Sequence, residues 1–536
     1  MRNTSWRMEM LNKRVMKRLV LAGVLFGLVA SSHAAVKLHG LFGSNMVLQR
    51  DARVPVWGTA EPGEHVTVSF CGQTVSAVAD ASGKWIAALN AMPAGGPFEM
   101  TVVGTVGAAS TTNVLKNVAV GDVWVCSGQS NMQVMMKEVK NSSEEINAAK
   151  FPMVRLLTVP LHVQDTPVEN IKEAGWAVAL SNNVGSFSAV AYFFGRDLNQ
   201  ALNIPIGLVN SSWGGSCAES WTTRESLLAD PDLRPLFETS RVQLMDYAKK
   251  VNKAAEVTGP WMAAVEKAKA DGKLAPPLPV FEAIPNNPAE SWGFASSRYS
   301  GMIAPLIRFP IRGAIWYQGE SNEGRAWQYR KLLPAMIADW RKAWGQGDFP
   351  FYIVQLANFG PAPVVPSESA WAELREAQSL TARNVPNCGQ AVAIDIGDAK
   401  DIHPKNKQDA GKRLSLIARA QAYGEKIVSS GPVYESMKVD GNHVVLNFKE
   451  VGGGLVAKGG ALKQFAIAGA DKKFVWADAV ITGNTVVVSS ASVTNPVAVR
   501  YAWAGNPEGC NLYNTEDLPA SPFRTDDWPM ITYGKR

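Results

Sequence analysis

The chain has 536 residues, of which 46% are hydrophobic and 19% charged, values that exclude a disordered or fibrous chain and a length that calls for several domains. Its formal net charge of +6 is concentrated at the start, where Arg2, Arg7, Lys13, Arg14, Lys17 and Arg18 face only Glu9. The rest carries about +1, too little for a nucleic-acid surface.

An uncharged apolar run, LVLAGVLFGLVA at 19–30, follows those basic residues, and Ser32 and Ala34 occupy positions like those of an A-x-A cleavage site. Residues 1–34 are therefore predicted to be a secretory signal peptide, because a run of about 12 apolar residues is too short to span a bilayer. An uncleaved anchor is the rival reading. Cleavage implies a secreted or periplasmic protein without a stable membrane anchor. Five widely spaced cysteines, Cys71, Cys126, Cys217, Cys388 and Cys510, permit a bridge but specify none, and no CxxC or HxxxH spacing suggests zinc or thiol-redox chemistry.

Residues 36–117 alternate short apolar runs such as HVTVSF and KWIAAL with turns such as Glu61-Pro62-Gly63, which predicts an N-terminal β-sandwich module. From 118 to 425 apolar strand-like runs (DVWVC, IPIGLVNSS, IRGAIWYQGE, FPFYIVQLAN, QAVAIDIG) alternate with helical periods at 188–203, 327–344 and 370–385. That pattern predicts an α/β domain with a parallel sheet covered on both faces, whose ligands sit at the carboxyl ends of the strands. Residues 225–288, rich in Ala, Lys and Pro, read as a helical insertion, and 426–536 as a C-terminal β module.

Four predicted strand ends carry polar clusters: Gly128-Gln129-Ser130-Asn131-Met132, Ser211-Ser212-Trp213-Gly214-Gly215, Gln318-Gly319-Glu320-Ser321-Asn322, and Asp398 through Pro404. Ser130 is the candidate nucleophile; a serine hydroxyl attacks an ester only with a base in hydrogen-bond reach and donors for the oxyanion. The bland alternative is that Ser130 caps the next helix. Beyond the leader the histidines are His39, His65, His162, His403 and His443, and only His403 follows a sheet-like strand with an acid beside it, Asp401. A carboxylate there orients the imidazole and stabilises its protonated form. Asp398 and Asp395 are alternative partners, and their spacing with Asp401 also raises a calcium site, although it lacks the pattern of an EF-hand loop. Oxyanion donors are sought in the Ser130, Gly214 and Gly215 backbone and the Gln318 and Asn322 amides. Trp213, Trp221, Trp316, Tyr317 and Trp371 are candidates for stacking on a sugar, and Arg375 or Arg224 for pairing with a sugar carboxylate. Two other classes compete: a glycosidase using Glu320 with Glu219, and a carbohydrate-binding protein without turnover.

GQSNM at 128–132, SSWGG at 211–215, WYQGESN at 316–322 and DIHP at 401–404 resemble, in this order, the sialate O-acetylesterase family of carbohydrate esterases, within the SGNH hydrolase superfamily. FGSNMVLQRDARVPVWG at 42–58 and RYAWAGNPEGCNLYNTEDLPASPFRTD at 500–526 extend the likeness over most of the chain. The resemblance implies a Ser-Asp/Glu-His hydrolase with Ser130 as nucleophile, His403 as base and the oxyanion donors just named, acting on O-acetylated sugars. Sialic acids are its first expected substrates, and acetylxylan or another acetylated carbohydrate is the alternative. It implies no metal or organic cofactor. The chain lacks the second glycine of a G-x-S-x-G elbow, and the Gly-x-Asn-Asp donor motif of many SGNH enzymes.

Overall fold

The computed structural model describes residues 34–536 apart from Glu173 and Trp292. Except for Ala34, the predicted leader lies outside the described residues. The chain divides into two compact units.

The smaller unit comprises the segment ending at Leu38, Val56–Leu89 and Met100–Val114. In it His65–Phe70 pairs antiparallel with Gln73–Val78 and with residues 101–105. The hairpin turns on Cys71 and Gly72, both at positive φ (49° and 73°), as a two-residue turn matching strand twist requires. Alternate residues Val66, Val68 and Phe70 are buried, the period-2 pattern of a sheet with one covered face.

The larger unit holds everything else. Its central sheet contains β1 (Ala109–Gly128, which belongs to this unit from Leu115 on), β2 (Lys150–Thr158), β3 (Ala177–Leu180), β4 (Ile206–Ser212), β5 (Gly313–Tyr317), β6 (Phe351–Val354) and β7 (Cys388–Ala391), in the order β3-β2-β4-β1-β5-β6-β7. All neighbours along this path are parallel except β3 with β2. Helices Ala189–Leu202 and Lys407–Gln421 pack together, as do Ala326–Trp344 and Ala370–Asn384. Strand alternation sends Ile315 and Tyr317 into the core shared with the first pair. It sends Trp316 to the other face, against Trp340 of the second pair. Between β4 and β5 lies the 37-residue helix Arg234–Ala270, which buries only Leu236, Phe237, Ser240 and Ala254.

The predicted boundaries differ from this division at two places. Residues 39–55 and 90–99 group with the larger unit. Val47–Gln49 extends parallel to Ala119–Gly121, and Arg50 grips the buried Asp122 carboxylate through two hydrogen bonds of 3.0 and 3.1 Å. The C-terminal strands form two four-stranded antiparallel sheets and a two-stranded one but do not separate from the α/β part. Their core takes in Val392 and Ile394, while Ala391 and Ala393 of the same run serve the central core. The segment leading to His403 is thus clamped between two cores. Among the described residues no helix is long and apolar enough to cross a membrane.

Candidate active site

Three neighbouring parallel strands, β4, β1 and β5, end beside one another, with Ser212 and Tyr317 both in register with Gly128. Gly128 has φ +136°, and a Cβ there would fall 2.2 Å from the Tyr317 carbonyl oxygen. Only glycine lets β1 turn so close to β5. Gln129 follows in extended conformation, and Ser130 opens a single helical turn, Ser130–Gln133. The N-cap position belongs to Gln129, which makes no side-chain cap, so the capping explanation for Ser130 fails. The turn is held from below by Ser188, which donates from Oγ to the Met132 carbonyl at 2.6 Å while capping the helix that follows it.

Ser130 Oγ lies 2.9 Å from His403 Nε2. On the other side of the ring, Nδ1 is 3.5 Å from Asp401 Oδ1, which also accepts the His403 backbone N–H at 2.8 Å. Partial burial lowers the imidazole pKa; Asp401 works against this, and the Lys407 and Lys405 charges add to it. The His403 N–H bond, together with Lys405, holds the Asp401 carboxyl below its usual range. The other two candidate aspartates are engaged elsewhere. Asp398 accepts the Lys400 N–H within its own turn at 2.8 Å. Asp395 takes a bidentate grip from Arg413 at 2.6 and 2.7 Å and the Tyr513 hydroxyl at 3.0 Å. They do not converge on a metal position, and no such cluster occurs among the described residues.

Gly214 stands over the serine: a Cβ on it would come within 3.5 Å of Ser130 Cβ. Its N–H donates to Gln133 Oε1 at 2.7 Å. Gly215, at φ +74°, makes the turn, and its carbonyl accepts Ser321 Oγ at 2.8 Å. Gln129 ties this end to β5 by accepting the Gly319 and Ser321 N–H groups at 3.3 Å each.

A family description, "Carbohydrate esterase, sialic acid-specific acetylesterase", matches residues 280–418, which include Gln318, Glu320, Asp401 and His403. A mouse (Mus musculus) sialate O-acetylesterase is 31% identical over 89% of this chain and 92% of its own length. The chain belongs to the sialate O-acetylesterase family. The human (Homo sapiens) sialate O-acetylesterase is also 31% identical, over 94% of this chain and 97% of its own. Among solved structures, a carbohydrate acetylesterase from Xanthomonas citri aligns with a TM-score of 0.78 and 38% identity, over 92% of this chain and all of that one. As a member of this carbohydrate esterase family, the chain is a carboxylic-ester hydrolase.

Against that family background, several residues expected at the substrate are placed elsewhere. Trp316 is fully buried, edge-on to Trp221 and Trp340 at 6.1 and 5.9 Å, because strand alternation turns it into the core. Arg375 is equally buried and donates to the Leu356, Ala357, Ala504 and Gly505 carbonyls at 2.6–2.8 Å. It fastens the C-terminal segment to its helix and offers nothing to a ligand. Arg224 lies over the Phe237 ring at 5.3 Å. Gln318, also without exposure, donates both amide hydrogens internally, to Asn322 Oδ1 at 2.7 Å and the Ser216 carbonyl at 3.2 Å. Asn322 in turn donates to Glu219 Oε2 at 2.9 Å. Glu219 is buried and paired with Arg325 at 2.6 Å, so the carboxylates of the glycosidase reading are both built into the protein's own contacts: Glu320 receives Asn131 Nδ2 at 2.5 Å. Trp213 remains half-buried beside Gly214, with the Arg298 guanidinium 4.7 Å from its ring centre. Trp371, partly exposed, donates to the Ala357 carbonyl at 2.9 Å.

Sequence reasoning passed over Gln133, Asn131 and Lys407. The first two lie inside or next to GQSNM, where only the serine invites a chemical role. Lys407 carried one signal: it directly follows Asn406, the side-chain cap of helix Lys407–Gln421, and a cation in a first helical turn opposes the helix dipole.

Proposed function

We propose that this protein is a serine esterase that removes O-acetyl groups from sugars, with O-acetylated sialic acids as its substrates, and that its α/β unit has the SGNH arrangement. The observation that carries this reading is the 2.9 Å contact between Ser130 Oγ and His403 Nε2 at the strand ends, in a chain whose relatives are sialate O-acetylesterases. The Ser130 oxygen forms a bond to the acetyl carbonyl carbon as its proton passes to His403 Nε2. The tetrahedral oxyanion is met by the Ser130 N–H, which has no preceding helical turn to bond with, and by the Gly214 N–H once substrate displaces Gln133. Collapse breaks the bond to the sugar oxygen, which leaves as the alcohol with the proton from His403. Water, deprotonated by the same imidazole, then releases acetate and restores Ser130. Trp213, beside Gly214, supplies an apolar face for the sugar ring. Asp401 orients His403. The leader read at residues 1–34 supports an exported, periplasmic or secreted site of action.

The test is hydrolysis of 4-nitrophenyl acetate by wild type and Ser130→Ala, followed by O-acetylated sialic acid and acetylxylan as competing substrates. Turnover should vanish in the variant with its fold unchanged, and acetylated sialic acid should give the higher kcat/KM. Activity retained without Ser130 removes the mechanism; preference for acetylxylan removes the substrate assignment.

A further inference from the structure

Behind the Ser130–His403 contact lies a chain of three side chains, two of them buried and Glu320 partly so, that the ester chemistry does not use. Lys407 Nζ donates to Asn131 Oδ1 at 2.5 Å. Asn131 Nδ2 donates to Glu320 Oε1 at 2.5 Å and to the Ile402 carbonyl at 3.0 Å. Lys407 is fully buried and Asn131 1% exposed, and Glu320 Oε2 is buried without a hydrogen-bond partner. A lysine and a carboxylate placed this deep are costly unless paired; here they are joined through one amide whose polar atoms are all committed. Asn131 adjoins Ser130, and Ile402 adjoins His403, so that amide connects the turn of the nucleophile to the loop of the base.

Among the described residues, the charged or titratable groups that act on Lys407 belong to this site: Glu320 and Tyr317 from the end of β5, and Asp401, His403 and Lys405 from the loop before its helix. The Tyr317 ring lies 4.8 Å from Nζ. Burial drives the Lys407 ammonium down to a pKa of about 7, Glu320 opposing it, and burial raises that of Glu320. A positive charge at this place disfavours a second one on the imidazole.

We propose that Lys407 and Glu320 are positioning residues for the Ser130–His403 pair: they clamp the Asn131 amide that joins the two loops, and the Lys407 charge keeps His403 in its basic form. This rests on the esterase reading, which Ser130→Ala tests separately in the same assay.

The experiment is the pH profile of kcat and KM for 4-nitrophenyl acetate with the full chain, comparing wild type, Lys407→Met and Lys407→Gln. Lys407→Met loses both charge and hydrogen bond, whereas Lys407→Gln keeps a donor for Asn131. Both should move the acid limb of kcat/KM upward by about half a pH unit or more, since a nearby charge shifts a pKa on that scale. Only Lys407→Met should lose about tenfold or more in plateau kcat, with KM within about twofold of wild type. An acid limb that stays put in folded Lys407→Gln overturns the electrostatic role, even if Lys407→Met does not fold. A Lys407→Met protein with a lower Tm but wild-type kcat and acid limb shows a merely structural lysine and overturns the proposal. Turnover retained by Ser130→Ala in that assay would instead strike the esterase reading.

Discussion

His403 Nε2 stands 2.9 Å from Ser130 Oγ, although 273 positions separate the two residues. Proton transfer across this contact requires a neutral imidazole. Burial depresses the His403 pKa most; Asp401 raises it, and Lys407 and Lys405 lower it again, leaving it below the ordinary value of 6.5. A base with a lowered pKa keeps its free form to lower pH, so the acid limb of kcat/KM for 4-nitrophenyl acetate should lie below 6.5. A limb centred above that value contradicts the electrostatics of the site.

Asp401 and Asp398 give opposite expectations. Asp401 lies 3.5 Å from Nδ1 and accepts the His403 N–H, so it sets both ring and loop. Asp401→Asn should lower kcat by about 10- to 100-fold, less than the loss when a buried, tightly bonded triad aspartate is replaced, because this carboxylate is partly exposed. It should also shift the acid limb further down, since the group that raises the imidazole pKa is gone. Asp398→Asn, whose carboxylate only closes its own turn, should stay within about twofold of wild type. Steady-state kinetics on the pair decides the assignment, and a slower Asp398→Asn reverses it.

Gln318→Ala distinguishes a strut from an oxyanion donor. The side chain joins Ser216, Asn322 and, through Oε1, the Tyr329 hydroxyl at 2.8 Å. Its removal leaves buried polar atoms unpaired and a cavity, a loss of about 2–4 kcal/mol in unfolding free energy. Urea denaturation should show that loss. A variant as stable as wild type but about a hundredfold slower would return the amide to the oxyanion.

The meeting of Ser130 and His403 was legible in the sequence because each combines a strand end with residue types that have few other reasons to be there. The parallel sheet was legible for the same reason that its strands are continuous apolar runs: both faces are covered. What sequence could not show is which way a side chain goes once the strand or helix is built. Trp316 lies between Tyr317 and Ile315, and one step of alternation puts it in the core. Arg375 looks like any exposed helical arginine until the Ala504 and Gly505 carbonyls, about 130 residues on, close over it. The unit boundaries were hidden likewise, because Arg50 with Asp122 and Arg375 with Ala504 are long-range contacts that leave no local pattern.

The two glycines beside Ser130 should fail differently when given a side chain. Gly128 has a left-handed φ of +136°, and a Cβ would sit 2.2 Å from the Tyr317 backbone oxygen, which β5 pairing holds in place. Gly128→Ala must therefore distort two strands, with a loss of about 3 kcal/mol or more or an insoluble product. At Gly214 a Cβ would meet Gln133 Oε1 at 3.1 Å and Ser130 Cβ at 3.5 Å. The nearer atom is the tip of a flexible side chain that can withdraw, but the added methyl then occupies the space above Ser130. Gly214→Ala should keep a Tm within a few degrees of wild type, as a change of about 1 kcal/mol allows, and lose about tenfold or more in kcat/KM through misplacement of the ester carbonyl. Thermal melts and acetyl-ester kinetics on both variants check this. A Gly214→Ala enzyme with full activity would overturn the proposed oxyanion role of that glycine, and a stable Gly128→Ala protein would show that β1 and β5 need not approach as closely as they do.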